Sequence, residues 1–223
     1  MEKNWYENWF NNLYPKLYPH RNLEEAKNQV DALINFLDLS KKNRKKDRCL
    51  DIACGTGRHV RYLAEQFKQT VGIDLSKDLI SIGKENGNFD KAESFIRDMR
   101  EPKLDENSFD LVCNFFTGFG YFQTDKEHQA LANTWLELVK ENGILFIDYL
   151  NKDYVINNLV SESKREIEGY VVTEKRKINS NRVEKQIGIE SPAGKERFKE
   201  SVRMYSKEEI CLLYTSPSPR DRG

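Results

Sequence analysis

Apolar residues along this chain switch between two spacings, and the switches mark out its elements. Between residues 48 and 149, short apolar runs alternate with stretches of helical period. The runs predict strands over 48–53, 70–74, 94–97, 109–114 and 143–149, and the stretches predict helices over 57–68, 77–86 and 125–140. Ser76 and Thr124 stand where helix caps belong, and Glu127 completes a capping box with Thr124. The runs at 109–114 and 143–149 are almost continuously apolar, as in strands covered on both faces. Strand, helix and strand joined by short connections predict an α/β fold, a doubly wound and mostly parallel sheet. Its ligand would lie beyond the C-terminal strand ends.

The flanks carry other patterns. Trp5, Tyr6, Trp9, Phe10, Leu13, Tyr14 and Leu17 mostly share one helical face, with Pro15 and Pro19 interrupting it. This predicts an aromatic helix packed on the core, a placement compatible with a lid over a ligand. Asn22, with Glu25 three residues on, opens a helix carrying Ala26, Val30, Leu33, Ile34 and Leu37. The basic stretch 41–46 that follows reads as a solvated loop. After Asn151 the alternation ends. Residues 167–178 and 182–190 predict a hairpin turning at Asn179-Ser180-Asn181, a third strand is expected over 196–205, and Ser206 with Glu209 opens a last helix. The chain thus divides into N-terminal helices and a basic loop (1–46), a sheet core (47–150), a β-rich cap with the start of a last helix (151–210) and a tail (211–223).

Composition narrows the class. The 223 residues carry a formal net charge of zero, so no global field favours nucleic acid or an acidic membrane. No apolar run approaches the length of a membrane span and no signal peptide opens the chain, which makes the cytoplasm the expected compartment. Cys49, Cys54, Cys113 and Cys211 form no CxxC pair and the histidines do not cluster, so no metal site is expected. The tail from Cys211 to Asp221 resembles the in-frame translation of a sequencing adapter. On that reading the chain is a fragment whose natural sequence continues past Ile210.

Four side chains stand at successive strand ends: Asp51 before the turn Gly55-Thr56-Gly57, Asp74 after the second strand, Asp98 after the third and Asn114 after the fourth. The turn brings backbone N–H groups and a helix N-terminus toward a ligand. An acid ending strand two suits both hydroxyls of a ribose. A dinucleotide site asks for a third glycine, which Arg58-His59-Val60 do not supply. Asp51 would repel a pyrophosphate and favour a cation. A cationic ligand that carries a ribose points to S-adenosylmethionine.

On these residues the sequence resembles class I S-adenosylmethionine-dependent methyltransferases, over about 48–150. Leu50-Asp-Ile-Ala-Cys-Gly-Thr-Gly57 is similar to their first motif, with Ala53 where glycine is frequent. Gly72-Ile-Asp-Leu-Ser76 resembles the second, and Asp98-Met99 the adenine-binding step. The run from Asn114 to Phe122, and Arg203 to Glu209, resemble a bacterial small-molecule subgroup. The resemblance implies a Rossmann-like fold with a β-hairpin insertion after strand five and two last strands missing beyond the tail. It implies that Asp51 orders the loop near the methionine end, that Ala53, Gly55 and Gly57 let the backbone approach, and that Asp74 binds the ribose while Leu75 packs on the adenine. It implies further that Asp98 accepts from the adenine amino group beside Met99, and that Asn114 lies near the methionine amino group.

A small-molecule methyl acceptor is expected, because Asn114-Phe-Phe-Thr117 lacks the proline clamp of enzymes acting on DNA bases or glutamine. Nucleic acid and membrane partners are not expected, and the sequence leaves the oligomeric state open. Arg21 is a candidate for the cofactor carboxylate. His20, His59, Tyr121, Asp148 and Tyr149 lie near the expected mouth, but none has a spacing that marks it as a base. A nucleotide-dependent oxidoreductase and a non-catalytic partner of the same fold are the rival classes.

Overall fold

The structure is a computed structural model that describes residues 4–39 and 47–215. The basic stretch 41–46 and the tail beyond Thr215 lie outside the described residues. In chain order the elements begin with α1 (Trp5–Trp9), α2 (Tyr14–Leu17), α3 (Leu23–Phe36), β1 (Arg48–Ile52), α4 (Arg58–Gln66) and β2 (Gln69–Asp74). Then come α5 (Lys77–Glu85), β3 (Glu93–Ile96), β4 (Phe109–Asn114), α6 (Asp125–Leu138) and β5 (Val139–Ile147). The chain closes with α7 (Lys152–Asn158), β6 (Glu162–Ile167), β7 (Tyr170–Asn179), β8 (Arg182–Ser191), β9 (Gly194–Arg203) and α8 (Lys207–Thr215). Two compact units emerge. Among the described residues, one comprises 10–39, 47–118 and 134–148, the other 4–9, 119–133 and 149–215.

The first unit holds a five-stranded sheet in the order β3-β2-β1-β4-β5, parallel throughout. The chain moves outward from β1 to β3 on one side, then returns to place β4 and β5 on the other. The switch between β1 and β4 opens a crevice at the strand C-termini. Val30, Leu33, Ile34 and Leu39 pack with Leu63 and Phe67 of the α4 region against Cys49, Leu111, Cys113 and Phe115. A second cluster of Cys54, Val60, Ile80 and Phe89 lies under the β1–α4 turn. The expected caps form: Asn22 Oδ1 accepts from Glu25 N (2.9 Å) and Ser76 Oγ from Leu79 N (3.2 Å). The aromatic N-terminal segment is two short helices rather than one. Pro15 sits in the first turn of α2, where its missing N–H costs nothing.

The second unit holds an antiparallel sheet, β6-β7-β8-β9. The hairpin expected at Asn179–Asn181 is β7–β8, and β9 extends it as anticipated. The insertion is larger than a hairpin with a third strand, because β6 pairs outside β7. Glu174, buried in this sheet, pairs with Arg165 (3.0 Å) and Arg176, so ions take positions that apolar residues usually hold. Trp9 packs on Phe198 (4.9 Å between ring centres) and donates to Glu200 (2.5 Å). His128 Nε2 accepts the Phe122 N–H (3.1 Å), so its proton sits on Nδ1 and faces Tyr205 (2.8 Å). Tyr205 in turn donates to Asp125 (2.6 Å). Burial, with Arg182 nearby, pushes His128 down to about 4 and keeps it neutral. Both predicted capping boxes close: Thr124 with Glu127 (2.8 and 3.2 Å), and Ser206 with Glu209 (2.7 and 3.2 Å). Among the described residues no helix is long and apolar enough to cross a membrane.

Candidate functional site

The crevice of the parallel sheet is built around the turn from β1 to α4. Three of its residues take left-handed backbone, one at every second position: Ala53 (φ 55°), Gly55 (φ 58°) and Gly57 (φ 73°). Glycine adopts this freely, and alanine does so at a cost of roughly 1–2 kcal/mol. Ala53→Gly is therefore expected to stabilise the fold. Glycine's extra freedom in the unfolded chain offsets part of the gain, leaving up to about 1 kcal/mol, a rise of a few degrees in melting temperature measured by circular dichroism.

Neighbouring elements fix the turn. Cys54 N–H donates to Ile73 O (3.0 Å) and Gly57 N–H to Cys54 O (3.0 Å). Asn88 Nδ2 donates to Thr56 O (2.9 Å). Helix α5 approaches closely because Gly83 has no side chain; a Cβ there would stand 2.3 Å from Thr56 O. Asp74 closes the turn from β2. Its Oδ2 accepts from Gly55 N (2.7 Å) and its Oδ1 from Ser76 N (2.8 Å). Burial raises the Asp74 carboxyl, and these backbone N–H groups pull against that rise.

Asp51 is 1% exposed, and neither of its oxygens accepts a hydrogen bond among the described residues. Burial first, and the charge of Asp74 second, hold its carboxyl well above the usual range. Asn114 is fully buried; its Nδ2 donates to Ile52 O (2.8 Å), while its Oδ1 has no donor among the described residues. A buried acceptor without a donor is costly, so such groups mark where a ligand's donors belong. These three acceptors fit a cationic, amine-bearing nucleoside, which would complete the bonds that Asp51 and Asn114 lack.

The remaining expected residues follow the ends of β2 and β3. Leu75 is 40% exposed, an apolar side chain left open beside Asp74. Asp98 is held by Arg100 through both oxygens (3.0 Å each from Nε) and accepts from Arg100 N (2.8 Å). Burial pulls the Asp98 carboxyl up, but Arg100's hydrogen bonds and charge outweigh it and keep the group ionised. Met99 is half-buried, its carbonyl accepting from Trp135 Nε1 (3.2 Å).

Sequence reasoning missed Ile96, and it named Arg21, His59, Phe116 and Asp148 without the contacts that fix them. Ile96, 52% exposed, is the register partner of Asp74 and adds a second open apolar side chain at that edge. Phe116 and Thr117 are both left-handed (φ 62° and 55°). Asp148 braces them: its Oδ2 accepts from Phe116 N (3.1 Å) and its carbonyl from Thr117 N (2.9 Å). The Phe116 ring lies under the guanidinium of Arg21 (4.5 Å), which also donates to the Tyr14 hydroxyl. His59 stacks flat on Phe115 (4.1 Å) and bonds Gln29 (2.7 Å). Burial, reinforced by Arg58, pushes it down to about 3, so it packs as a neutral ring. None of these contacts has a local sequence signal, because each joins residues distant in the chain or depends on backbone dihedrals.

Sheet order and connectivity define a doubly wound, Rossmann-like α/β domain. Residues 49–143 match the family model described as a methyltransferase domain. Over these residues the chain is similar to methyltransferase domains. It is 29% identical over 99 residues to the Streptomyces venezuelae dTDP-3-amino-3,4,6-trideoxy-alpha-D-glucopyranose N,N-dimethyltransferase, covering 44% of this chain and 40% of that protein. The chain spans about two-fifths of the length of the curated relatives it matches. Its fold is similar to that of an S-adenosylmethionine-dependent methyltransferase from Clostridium acetobutylicum (TM-score 0.72, 18% identity, 91% of this chain and 83% of that one). It is also similar to a cofactor-bound amino pentose methyltransferase from Micromonospora echinaspora (TM-score 0.67, 20% identity, 92% and 87%).

Proposed function

We propose that this protein transfers a methyl group from S-adenosylmethionine to a small-molecule acceptor bearing an amine. The observation that carries the reading is the pairing of two acids beside one turn, buried Asp51 in β1 and half-buried Asp74 at the end of β2. Asp74 is spent on the turn's backbone yet keeps lone pairs for a ribose. Asp51 is left with both oxygens unsatisfied beside it. In this reading Asp74 holds the ribose hydroxyls, Leu75 and Met99 flank the adenine, and Asp98 accepts from its amino group. Ala53, Gly55 and Gly57 admit the cofactor to the backbone, and Asp51 and Asn114 take its methionine end. The amine acceptor draws on relatives: besides the amino-sugar N,N-dimethyltransferase, mouse glycine N-methyltransferase is 29% identical over 124 residues.

When bound, the cofactor supplies a methyl group on a sulfonium, a good leaving group. The chain's own contribution is proximity and alignment, which are worth roughly 7–11 kcal/mol when fully realised. An amine acceptor reacts in its neutral form, so a base is needed only to take a proton after or during transfer. His59, flat on Phe115 and pushed down to about 3, is excluded from that role. The reading is tested by binding of S-adenosylmethionine against NAD, followed by transfer of labelled methyl to a panel of amino sugars and amino acids. Binding of NAD in preference to S-adenosylmethionine would overturn it.

Arg21 extends the reading to the cofactor carboxylate. Its guanidinium is fixed over Tyr18 (4.7 Å), which ends α2, and over Phe116 (4.5 Å) on the loop that follows Asn114. Arg21→Ala is expected to weaken S-adenosylmethionine binding roughly tenfold or more, with the melting transition still cooperative, since a charged hydrogen bond contributes about 1.5–3 kcal/mol. Unchanged affinity by calorimetry would remove Arg21 from the site.

A further inference from the structure

A buried carboxylate that no donor reaches cannot stay ionised cheaply; it takes up a proton instead. Asp51 is in that position, at 1% exposure with both oxygens unpaired among the described residues. The groups that act on it come from every element around it. Asp74 at the end of β2 adds a negative charge, and Arg58 at the start of α4 a positive one. Cys113 of β4 is its register partner and Cys54 follows in the turn, both buried thiols held protonated by burial. Arg58, which also pairs with Glu25 (3.4 Å) and donates to Asn22 O (3.2 Å), lowers the Asp51 carboxyl less than burial and Asp74 raise it.

We infer that Asp51 is protonated in the free protein and releases that proton to solvent when S-adenosylmethionine binds, which makes cofactor capture proton-coupled. The inference rests on the reading of this crevice as the cofactor site. The carboxylic acid loses its proton, the carboxylate gains a cationic partner, and the proton passes to buffer, so charge balances. The same coupling selects for charge: a neutral nucleoside gives Asp51 no reason to ionise and leaves a buried acid facing it.

The experiment is calorimetric titration of S-adenosylmethionine into the full chain, in buffers matched in pH but different in ionisation enthalpy, between about pH 5 and pH 8. Below the raised Asp51 value, up to one proton should be released per cofactor bound, and log affinity should rise with pH at a slope approaching one. Both should fade wherever the pH climbs past the raised Asp51 value. Asp51→Asn should bind more weakly, with no release and a flat profile; the ligand's own amine titrates equally against both proteins, so the difference isolates Asp51. If the variant fails to fold, the wild-type slope below about pH 7, where the ligand amine stays charged, decides alone. Tight binding with a buffer-independent enthalpy across the range would overturn the coupling. No binding at any pH would overturn the cofactor reading itself.

Discussion

Asp74→Asn is expected to lower S-adenosylmethionine affinity by about two orders of magnitude while leaving the parallel sheet assembled. The carboxylate is the joint between β2 and the turn, one oxygen on Gly55 N and the other on Ser76 N. Asparagine presents an NH2 to one of those donors. A backbone N–H then faces another donor, at a cost of about 1–3 kcal/mol, and the ionised acceptor for ribose hydroxyls is gone. Calorimetry reads the affinity and thermal melting reads the fold. A dissociation constant within threefold of wild type would show that Asp74 braces the turn without touching the cofactor.

The second large effect separates two glycines that sequence reasoning treats alike. At Gly57 an added Cβ would stand 2.4 Å from the Phe89 ring, on a residue with φ 73°. Backbone strain and overpacking act together there, so Gly57→Ala is expected to destabilise the protein by roughly 3–5 kcal/mol, seen as a collapse of the melting transition. At Gly55 the nearest atom to an added Cβ is Leu79 Cδ1, at 3.9 Å. Gly55→Ala should therefore fold, with only the strain of about 1–2 kcal/mol. Its loss should appear in cofactor binding instead, because the methyl occupies space the turn keeps clear. Equal melting temperatures for the two variants would contradict this division.

Much of the sheet and the outline of the site could be read from residues 48 to 149, for a physical reason. Parallel strands covered on both faces must be apolar throughout, and each strand end that meets a ligand must be polar, so the sequence switches sharply there. The β1 segment Arg48–Ile52 and the Asp74, Asp98 and Asn114 positions are legible on that account. The antiparallel unit was harder. Strand β6, Glu-Ser-Lys-Arg-Glu-Ile, offers no apolar alternation, because Arg165 reaches diagonally to the buried Glu174 of β7 and a salt bridge fills a place that hydrophobic periodicity would mark. Helix α7 buries no residue and so has no stripe to betray it. What the sequence could not convey within the site was pairing: that Asp98 is held by Arg100, that Asp148 supports Phe116, and that Asp51 accepts no hydrogen bond among the described residues.

The alternating left-handed turn has a kinetic meaning as well. The turn that holds Ala53, Gly55 and Gly57 in these conformations is tied down at Cys54 by β2, at Gly55 by Asp74 and at Thr56 by Asn88, bonds that need no ligand. Little backbone entropy is left to lose on capture, so the turn belongs with preorganised sites rather than with those that order around their ligand. Such a turn offers no slow rearrangement to delay association. The rate at which cofactor enters would then be set by diffusion into the crevice, and residence time by how well the two acids hold what has entered.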